Sequence, residues 1–363
     1  MTSQSVTSSA WVADQLDPKH LTELDATGRP LLVIDVPRCR VLASLVANRQ
    51  VPEDREDVVV RGPAALSIGN FFLFIVAICH QTSPQGKPPV EGIIDGSRRV
   101  GWDYLVAKLE AETSSDPSWL EVARWSECTP GDLEQLFTDP QFGKRLVGIE
   151  RRAQLVRDLG LRMREQGWTN IDTLYEMCGA RIRSGSPNLI DSLAQFEAYR
   201  DPVWKKSLFF LALMRNSGRW QYVDPQEMGP PVDYHEMRGH LRLQTVRVVD
   251  ADLLSKLQNR TLITEREEIA IRRAVFNAVM IISVMSGVGD PSRLHYLFWN
   301  IFRAVCVREQ PRCARNEFPP ALPDRYKDQL NVDAAVHCPY ERICPSAHLL
   351  YPILEPITDT DFY

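Results

Sequence analysis

The strongest constraint on the fold is a series of well-marked helix starts between residues 129 and 291. At each start a capping residue stands before a proline or an acidic residue, and apolar residues then recur at helical spacing. The starts are Thr129-Pro130, Asp201-Pro202, Thr264 with Glu267, and Asp290-Pro291. Of the remaining chain, Pro30–Val36 (PLLVIDV) has the pattern of a strand. The sequence therefore predicts a mainly α fold with a small β element near the N-terminus, and a helix over Pro202–Met214.

Composition narrows the class of protein. The chain has 363 residues, 44% of them hydrophobic and 25% charged, which suits a globular protein with a sizeable core and excludes a disordered chain or a disulfide miniprotein. A net charge of −5 provides no strong basic field, although a local groove can still be basic. The longest apolar run, Phe71–Cys79, is about half a membrane span, and the polar N-terminus lacks a signal-peptide core. We expect a cytoplasmic protein that does not cross a membrane.

Four of the eight cysteines lie in the last sixty residues, with six residues between the first pair and five between the second. They are Cys306, Cys313, Cys338 and Cys344. In a reducing compartment they are not read as disulfides. Four thiolates can close a zinc site or an iron–sulfur cluster, whereas the alternative is four buried free thiols that behave as small apolar groups. The paired spacing in a Pro- and Arg-rich segment favours the metal or cluster.

This spacing resembles the C-terminal motif of endonuclease III-like DNA glycosylases, members of the helix-hairpin-helix superfamily. Cys306, Cys313, Cys338 and Cys344 reproduce the outer intervals of that motif, and Pro339 follows the third cysteine as it does there. The middle interval is twenty-four residues here, against two in the family. The resemblance implies one [4Fe–4S] cluster bound by the four cysteines, with zinc as the alternative.

The segment Val232–Arg238 (VDYHEMR) resembles the V-D-T-H-x-x-R segment of the same superfamily. The match places Asp233 on the catalytic aspartate, His235 on the histidine and Arg238 on the arginine. Cleavage of an N-glycosidic bond builds positive charge on the sugar, which a fixed carboxylate stabilises. The alternative is that Asp233 only caps a helix, and both roles can belong to one residue.

Two lysines follow Asp201-Pro202. In bifunctional glycosylases a lysine at the start of the corresponding helix attacks C1′ of the sugar as a neutral amine. The match favours Lys206 as this nucleophile and Lys205 as second choice, against the alternative of two solvated lysines in a first turn.

Residues further upstream resemble the base-binding side of the superfamily. In FFLFIVAICHQTS, Gln81 corresponds to the residue that fills the gap left by a flipped base, with His80 beside it. Trp102 and Asp103 are candidates for stacking on or hydrogen bonding to a base. The alternative for Trp102 is ordinary packing in the core.

Residues of about 100 to 300 also resemble the queuosine salvage proteins, which hydrolyse the N-glycosidic bond of a queuosine nucleotide. The matching stretches are GWDYLVAKL, TPGDLEQLF, VDYHEMRGHLRL and LHYLFW. Those proteins share the glycosylase-like helical fold and use an aspartate equivalent to Asp233, but they lack the cysteine tail. In this chain FEAYRDPVW replaces the Gly-rich hairpin whose amides ordinarily hold a DNA phosphate.

Together these resemblances predict a two-lobed, helix-hairpin-helix glycosylase-like fold. We expect a polar leader over residues 1–20, the helical domain over 21–300 and the cluster tail over 301–363. The leading hypothesis is a monomeric DNA N-glycosylase. It flips a modified or unusual base out of double-stranded DNA and excises it, leaving an abasic site, in repair or in defence against phage with modified bases. The alternatives are a queuosine-nucleotide N-glycosylase and a non-catalytic nucleic-acid-binding module.

Overall fold

The computed structural model describes residues 20–47, 51, 60–84, 86–315, 338–349, 352 and 355–363. The chain forms two compact units. Unit 1 comprises Met1–Asp54 and Gly229–Asp359, and unit 2 comprises Arg55–Met228 and Thr360–Tyr363. The described residues are mainly helical, with 55% helix and small antiparallel sheets, which confirms the predicted fold class at this level. The predicted border at residue 300 does not coincide with a border between the two units.

Fifteen α-helices lie in the described residues, and short 3-10 turns connect several of them. In chain order they are α1 (Val36–Ala47), α2 (Gly62–Leu66), α3 (Ile68–Ala77), α4 (Trp102–Ser115), α5 (Val122–Ser126), α6 (Pro130–Phe137), α7 (Ile149–Glu165), α8 (Asp172–Met177), α9 (Leu189–Leu193), α10 (Lys205–Asn216), α11 (Tyr234–Leu243), α12 (Ala251–Asn259), α13 (Glu265–Ser286), α14 (Pro291–Ala304) and α15 (Arg312–Arg315). The strands are β1 (Thr22–Leu24), β2 (Pro30–Ile34), β3 (Glu91–Ile94), β4 (Ser97–Val100) and β5 (Val246–Val248).

Three of the four predicted helix starts are confirmed. Thr129 with Asp132 and Thr264 with Glu267 form complete capping boxes at α6 and α13. The Asp290 side chain accepts a hydrogen bond from Ser292 N at the start of α14.

The fourth predicted start is wrong by three residues, because α10 begins at Lys205 rather than at Pro202. Trp204 has a φ of 57°, in the left-handed region, so the helix cannot extend back through it.

The sheet of unit 1 has the order β1-β2-β5 and is antiparallel throughout. The predicted strand Pro30–Val36 is confirmed over Pro30–Ile34, after which Val36 opens α1. In β2, Leu32 pairs with Val248 and Ile34 pairs with Val246. The side chains of Leu32 and Ile34 are buried, and β2 packs against α13.

Unit 2 contains a second small sheet, the β3–β4 hairpin, which the sequence analysis missed. Its two-residue turn is Asp95-Gly96, and both residues have positive φ. An Asp-Gly pair is a recognised signal for such a turn, but the strand that follows it (SRRV) is polar and exposed. The sequence therefore signals the turn and not the second strand.

One central helix organises the core of each unit. In unit 1, α13 packs against α1, β2 and α14. By length and composition α13 could cross a membrane, but 67% of its apolar window is buried inside the protein, and a core helix meets the same criterion. In unit 2, α3 is buried along nearly its whole length, and Phe74 contacts the rings of Trp119 and Trp125.

Candidate functional site

Asp233 is the N-cap of α11, and both of its carboxylate oxygens are bonded. Oδ1 accepts hydrogen bonds from the backbone N–H of His235 at 2.8 Å and of Glu236 at 3.3 Å. Oδ2 accepts one from Nε1 of Trp299, on α14, at 2.9 Å. Only 8% of the residue is exposed. The helix-capping role is therefore observed, and the carboxylate is held in one orientation by donors from two helices.

Helices α11 and α14 approach each other closely enough to make these contacts because residue 239 is a glycine. A Cβ at Gly239 would lie 2.3 Å from the ring of Phe302 on α14. A second polar contact lies one turn along each helix from the first, where Glu236 Oε2 and His295 Nδ1 are 2.6 Å apart and both side chains are buried. Burial raises the pKa of Glu236, although the neighbouring His295 opposes that shift.

Arg238, which the sequence matched to the glycosylase arginine, is buried and bonded within the protein. Its guanidinium forms an ion pair with Glu355 and donates to the carbonyl oxygens of Cys306 at 2.5 Å and Phe302 at 3.2 Å. Its Nη2 also lies 2.8 Å from Nδ1 of His235. Arg238 thus ties α11 to the loop at Cys306, and a direct contact with substrate stays a prediction.

His235, the second matched residue, is held in its neutral form. Burial lowers the pKa of His235 well below its usual value, and the positive charge of Arg238 lowers it further. A neutral imidazole donates one hydrogen bond and accepts another, and it brings no positive charge to Asp233.

The C-terminal half of α11 contacts the cysteine region. Arg242 donates to Cys306 Sγ at 3.2 Å and to the carbonyl oxygens of Val307 and Arg308, each at 2.8 Å. The Cys344 thiol lies 3.5 Å from the carbonyl oxygen of Arg242. One helix therefore carries Asp233 at its N-terminus and binds two of the four predicted cluster cysteines near its C-terminus.

The four cysteines lie in one neighbourhood of unit 1. Burial raises the pKa of Cys313, Cys338 and Cys344, in the last case to about 12, and the charge of Cys306 contributes to each shift. The described residues contain no group of three or more His, Cys, Asp or Glu side chains arranged to hold a metal ion, and most of the insertion Ala314–His337 lies outside them. Arg242 donates to one of these sulfurs, and binding of a metal or cluster by the four thiolates stays a prediction.

Both candidate lysines at the start of α10, in unit 2, are buried. Lys206 is fully buried and its Nζ donates to the carbonyl oxygen of Ala77 at 2.6 Å. Lys205 is 8% exposed, and its Nζ lies 3.7 Å from Cys79 Sγ. The alternative of two solvated lysines is therefore wrong. Desolvation lowers the pKa of Lys206 to about 7, which makes it partly a neutral amine near neutral pH.

In the loop before α10, a carboxylate of the chain itself accepts hydrogen bonds from backbone N–H groups at the start of that helix. The buried Asp201 accepts hydrogen bonds from the backbone N–H of Val203 at 3.0 Å and of Lys205 at 2.6 Å. These are the kind of amides that a Gly-rich hairpin would offer to a DNA phosphate. In this chain they are already bonded.

His80 and Gln81 follow the end of α3, in the same unit as the lysines. His80 is buried, burial lowers its pKa well below the usual value, and Lys206 is among the cations that lower it further. Gln81 has a φ of 46° and contacts the last described residues of the chain. Its backbone N–H donates to the carbonyl oxygen of Tyr363 at 3.0 Å, and its side-chain amide donates to that of Thr360 at 2.9 Å.

The remaining two candidates open α4. Trp102 packs edge-on against Phe209 of α10, with ring centroids 4.8 Å apart, so the packing interpretation of this tryptophan fits its position. Asp103 is exposed in the first turn of α4.

The structure thus groups the predicted residues by unit. Asp233, His235, Arg238 and the four cysteines belong to unit 1, whereas His80, Gln81, Trp102 and the two lysines belong to unit 2. The sequence analysis missed Trp299, Glu236 and His295. A signal for two of them was present, because His295 and Trp299 stand four residues apart on one helix and so share a face.

No family model matches this sequence, and no curated protein matches it. The functional interpretation therefore depends on the geometry around Asp233 and on the residues that resemble the glycosylases.

Proposed function

We propose that this protein is an N-glycosylase that excises a modified or unusual base from double-stranded DNA, with Asp233 as the catalytic carboxylate. The single observation that supports this most is the bonding of Asp233, whose two oxygens accept three N–H donors at the start of α11. A carboxylate held in advance of the reaction stabilises developing positive charge without the cost of reorienting during bond cleavage.

The proposed reaction breaks the bond between C1′ of the sugar and a ring nitrogen of the base. The bonding electrons leave with the base, which takes up a proton, and the sugar acquires oxocarbenium character opposite Asp233. In the hydrolytic form, water adds to C1′ and loses a proton, which leaves an abasic site. In a lyase form a neutral lysine amine would attack C1′ in place of water. Lys206 stays the predicted nucleophile for that form; in unit 2 it is fully buried, with its Nζ donating to the carbonyl oxygen of Ala77.

We also propose that Cys306, Cys313, Cys338 and Cys344 bind one [4Fe–4S] cluster, with zinc as the alternative. The paired spacing of the cysteines and the Arg242 hydrogen bond to Cys306 Sγ support this assignment. The bound group would stabilise the loop that Arg238 and Arg242 connect to α11, and so would support Asp233 from the other end of the helix.

A free queuosine-type nucleotide is the second candidate substrate, and one observation favours it. Asp201 already bonds the amides at the start of α10, so that helix start offers less to a DNA backbone. Binding measured against salt concentration separates the two substrates, because duplex DNA imposes a steep salt dependence that a single nucleotide does not.

The central test is base release by Asp233→Asn, assayed as abasic sites on genomic DNAs that carry different modified bases. Asparagine caps helices as well as aspartate does, so we expect Asp233→Asn to fold and to lose base release. Asp250→Asn is the matched control, because Asp250 is the N-cap of α12 and accepts from Leu253 N at 2.8 Å. This control is expected to keep wild-type activity. Full activity in Asp233→Asn would overturn the proposal.

A further inference from the structure

The second carboxylate oxygen of Asp233 depends on a residue from another helix. The amides of α11 bond only Oδ1, which leaves the carboxylate able to turn about the bond to its Cβ. The indole N–H of Trp299 bonds Oδ2 at 2.9 Å and removes that freedom. An indole nitrogen is a donor only and carries no charge, so this contact orients the carboxylate without neutralising it.

Contacts on several sides hold the Trp299 ring. The guanidinium of Arg303 lies over the ring at 4.6 Å from its centroid, and His235 meets it edge-on with centroids 6.0 Å apart. One turn earlier on α14, the buried contact of His295 with Glu236 fixes the same pair of helices. The indole is thus a rigid support for Asp233.

We infer that Trp299 is a positioning residue for Asp233, an inference that rests on the proposed glycosylase function. It acts through the carboxylate and does not itself touch the reacting atoms. The oxocarbenium character that Asp233 stabilises develops only as the bond breaks. Loss of the indole donor therefore weakens transition-state stabilisation and leaves ground-state binding in place, which lowers kcat and not the affinity for substrate.

The first experiment compares Trp299→Phe with Trp220→Phe in steady-state base release. Trp220 provides a matched control, because its Nε1 donates to Asp172 Oδ1 at 2.7 Å in unit 2. Each substitution removes one indole donor to one aspartate. We expect Trp299→Phe to lower kcat by roughly 10- to 100-fold with KM unchanged, the effect of losing one hydrogen bond to a charged group, and Trp220→Phe to keep wild-type kcat. Wild-type kcat in Trp299→Phe would overturn the inference.

The second experiment tests the contact without any activity assay. The eight tryptophans give separate indole N–H signals in a proton–nitrogen NMR spectrum, and the signal missing in Trp299→Phe identifies residue 299. If Trp299→Phe does not fold, Trp299→Tyr is used in its place to assign the indole signal of residue 299. Asp233→Asn is expected to move that signal, and Asp172→Asn is expected to leave it unchanged and to move the signal of Trp220.

The two experiments separate the inference from the function beneath it. An unmoved Trp299 signal in Asp233→Asn would show that the contact is absent and would overturn the inference. If the wild-type protein releases no base while Asp233→Asn does move the signal, the proposed function fails and the contact between Trp299 and Asp233 stands.

Discussion

Lys206 provides a quantitative test of how this protein folds around a buried amine. Its pKa falls from 10.5 in water to about 7 in the fold, because burial removes solvent from the ammonium group, and the nearby Lys205 and Arg152 cations add to the shift. The folded protein therefore binds fewer protons than the unfolded chain between about pH 7 and pH 10.5. Stability contributed through this group must rise with pH in that window.

The size of the effect follows from the shift. A difference of about 3.5 pKa units corresponds to a penalty of about 5 kcal/mol when the lysine is fully charged, below pH 7. Lys206→Met removes this penalty at every pH. It also removes the hydrogen bond to Ala77 O, a loss of about 1 kcal/mol that does not change with pH. We therefore expect the gain in free energy of unfolding from Lys206→Met to shrink by about 2 to 3 kcal/mol between pH 6 and pH 9.

The assay is urea unfolding of wild type and variant at each pH, followed by circular dichroism. Comparing the two proteins cancels the titration of other groups, since they are common to both. Lys144→Met is the control, because Lys144 is an exposed lysine paired with Glu134. Its effect should stay below about 1 kcal/mol at every pH. If the difference in free energy of unfolding between Lys206→Met and wild type is constant from pH 6 to pH 9, the pKa of Lys206 is not lowered. Lys206 then cannot be the neutral amine that the lyase form of the reaction requires.

Two further predictions concern the connection between α11 and the cysteine region. Glu355→Ala removes the carboxylate that pairs with the buried Arg238, and the uncompensated charge should lower the free energy of unfolding by about 3–5 kcal/mol in the same urea assay. Purified protein should be brown and contain about four irons per chain, because four thiolates complete one [4Fe–4S] cluster, and Cys338→Ser should lose the colour.

Each of these predictions has its own control. Glu197→Ala breaks an exposed ion pair with Arg151 and should lower the free energy of unfolding by less than about 1 kcal/mol. An equal loss in Glu197→Ala and Glu355→Ala would contradict the role given to Glu355. Cys128→Ser, which changes a buried thiol of unit 2, should keep the iron. Finding stoichiometric zinc in the wild-type protein would favour the zinc site over the iron–sulfur cluster.

What the sequence determined by itself is local. The capping boxes at Thr129 and Thr264 join residues three positions apart, so their side chains meet whenever the helix forms. The capping role of Asp233 could be predicted for the same reason, since the two amides that donate to its Oδ1 lie two and three residues ahead. The mainly α class follows from these starts and from the helical spacing of apolar residues.

The error at α10 marks the limit of local reasoning. Asp201-Pro202 has the composition of a helix start, and Asp201 does bond the beginning of the helix, but across a turn that ends at Trp204 in the left-handed region. The pattern identified the capping residue and misplaced the first helical residue.

Tertiary structure alone decided the environment of the candidate groups. Trp299 lies 66 residues from Asp233 in sequence, and Glu355 lies 117 from Arg238, so only the packing of α14 and of the C-terminal segment on α11 brings them into contact. The burial of Lys206 likewise depends on α3 and its Ala77 carbonyl, whereas the sequence left open whether the first turn of α10 is buried or solvated. Hydrogen bonds within one helical turn can be predicted from the sequence. The desolvation of a side chain depends on which distant atoms exclude water from it, and only the folded chain determines that.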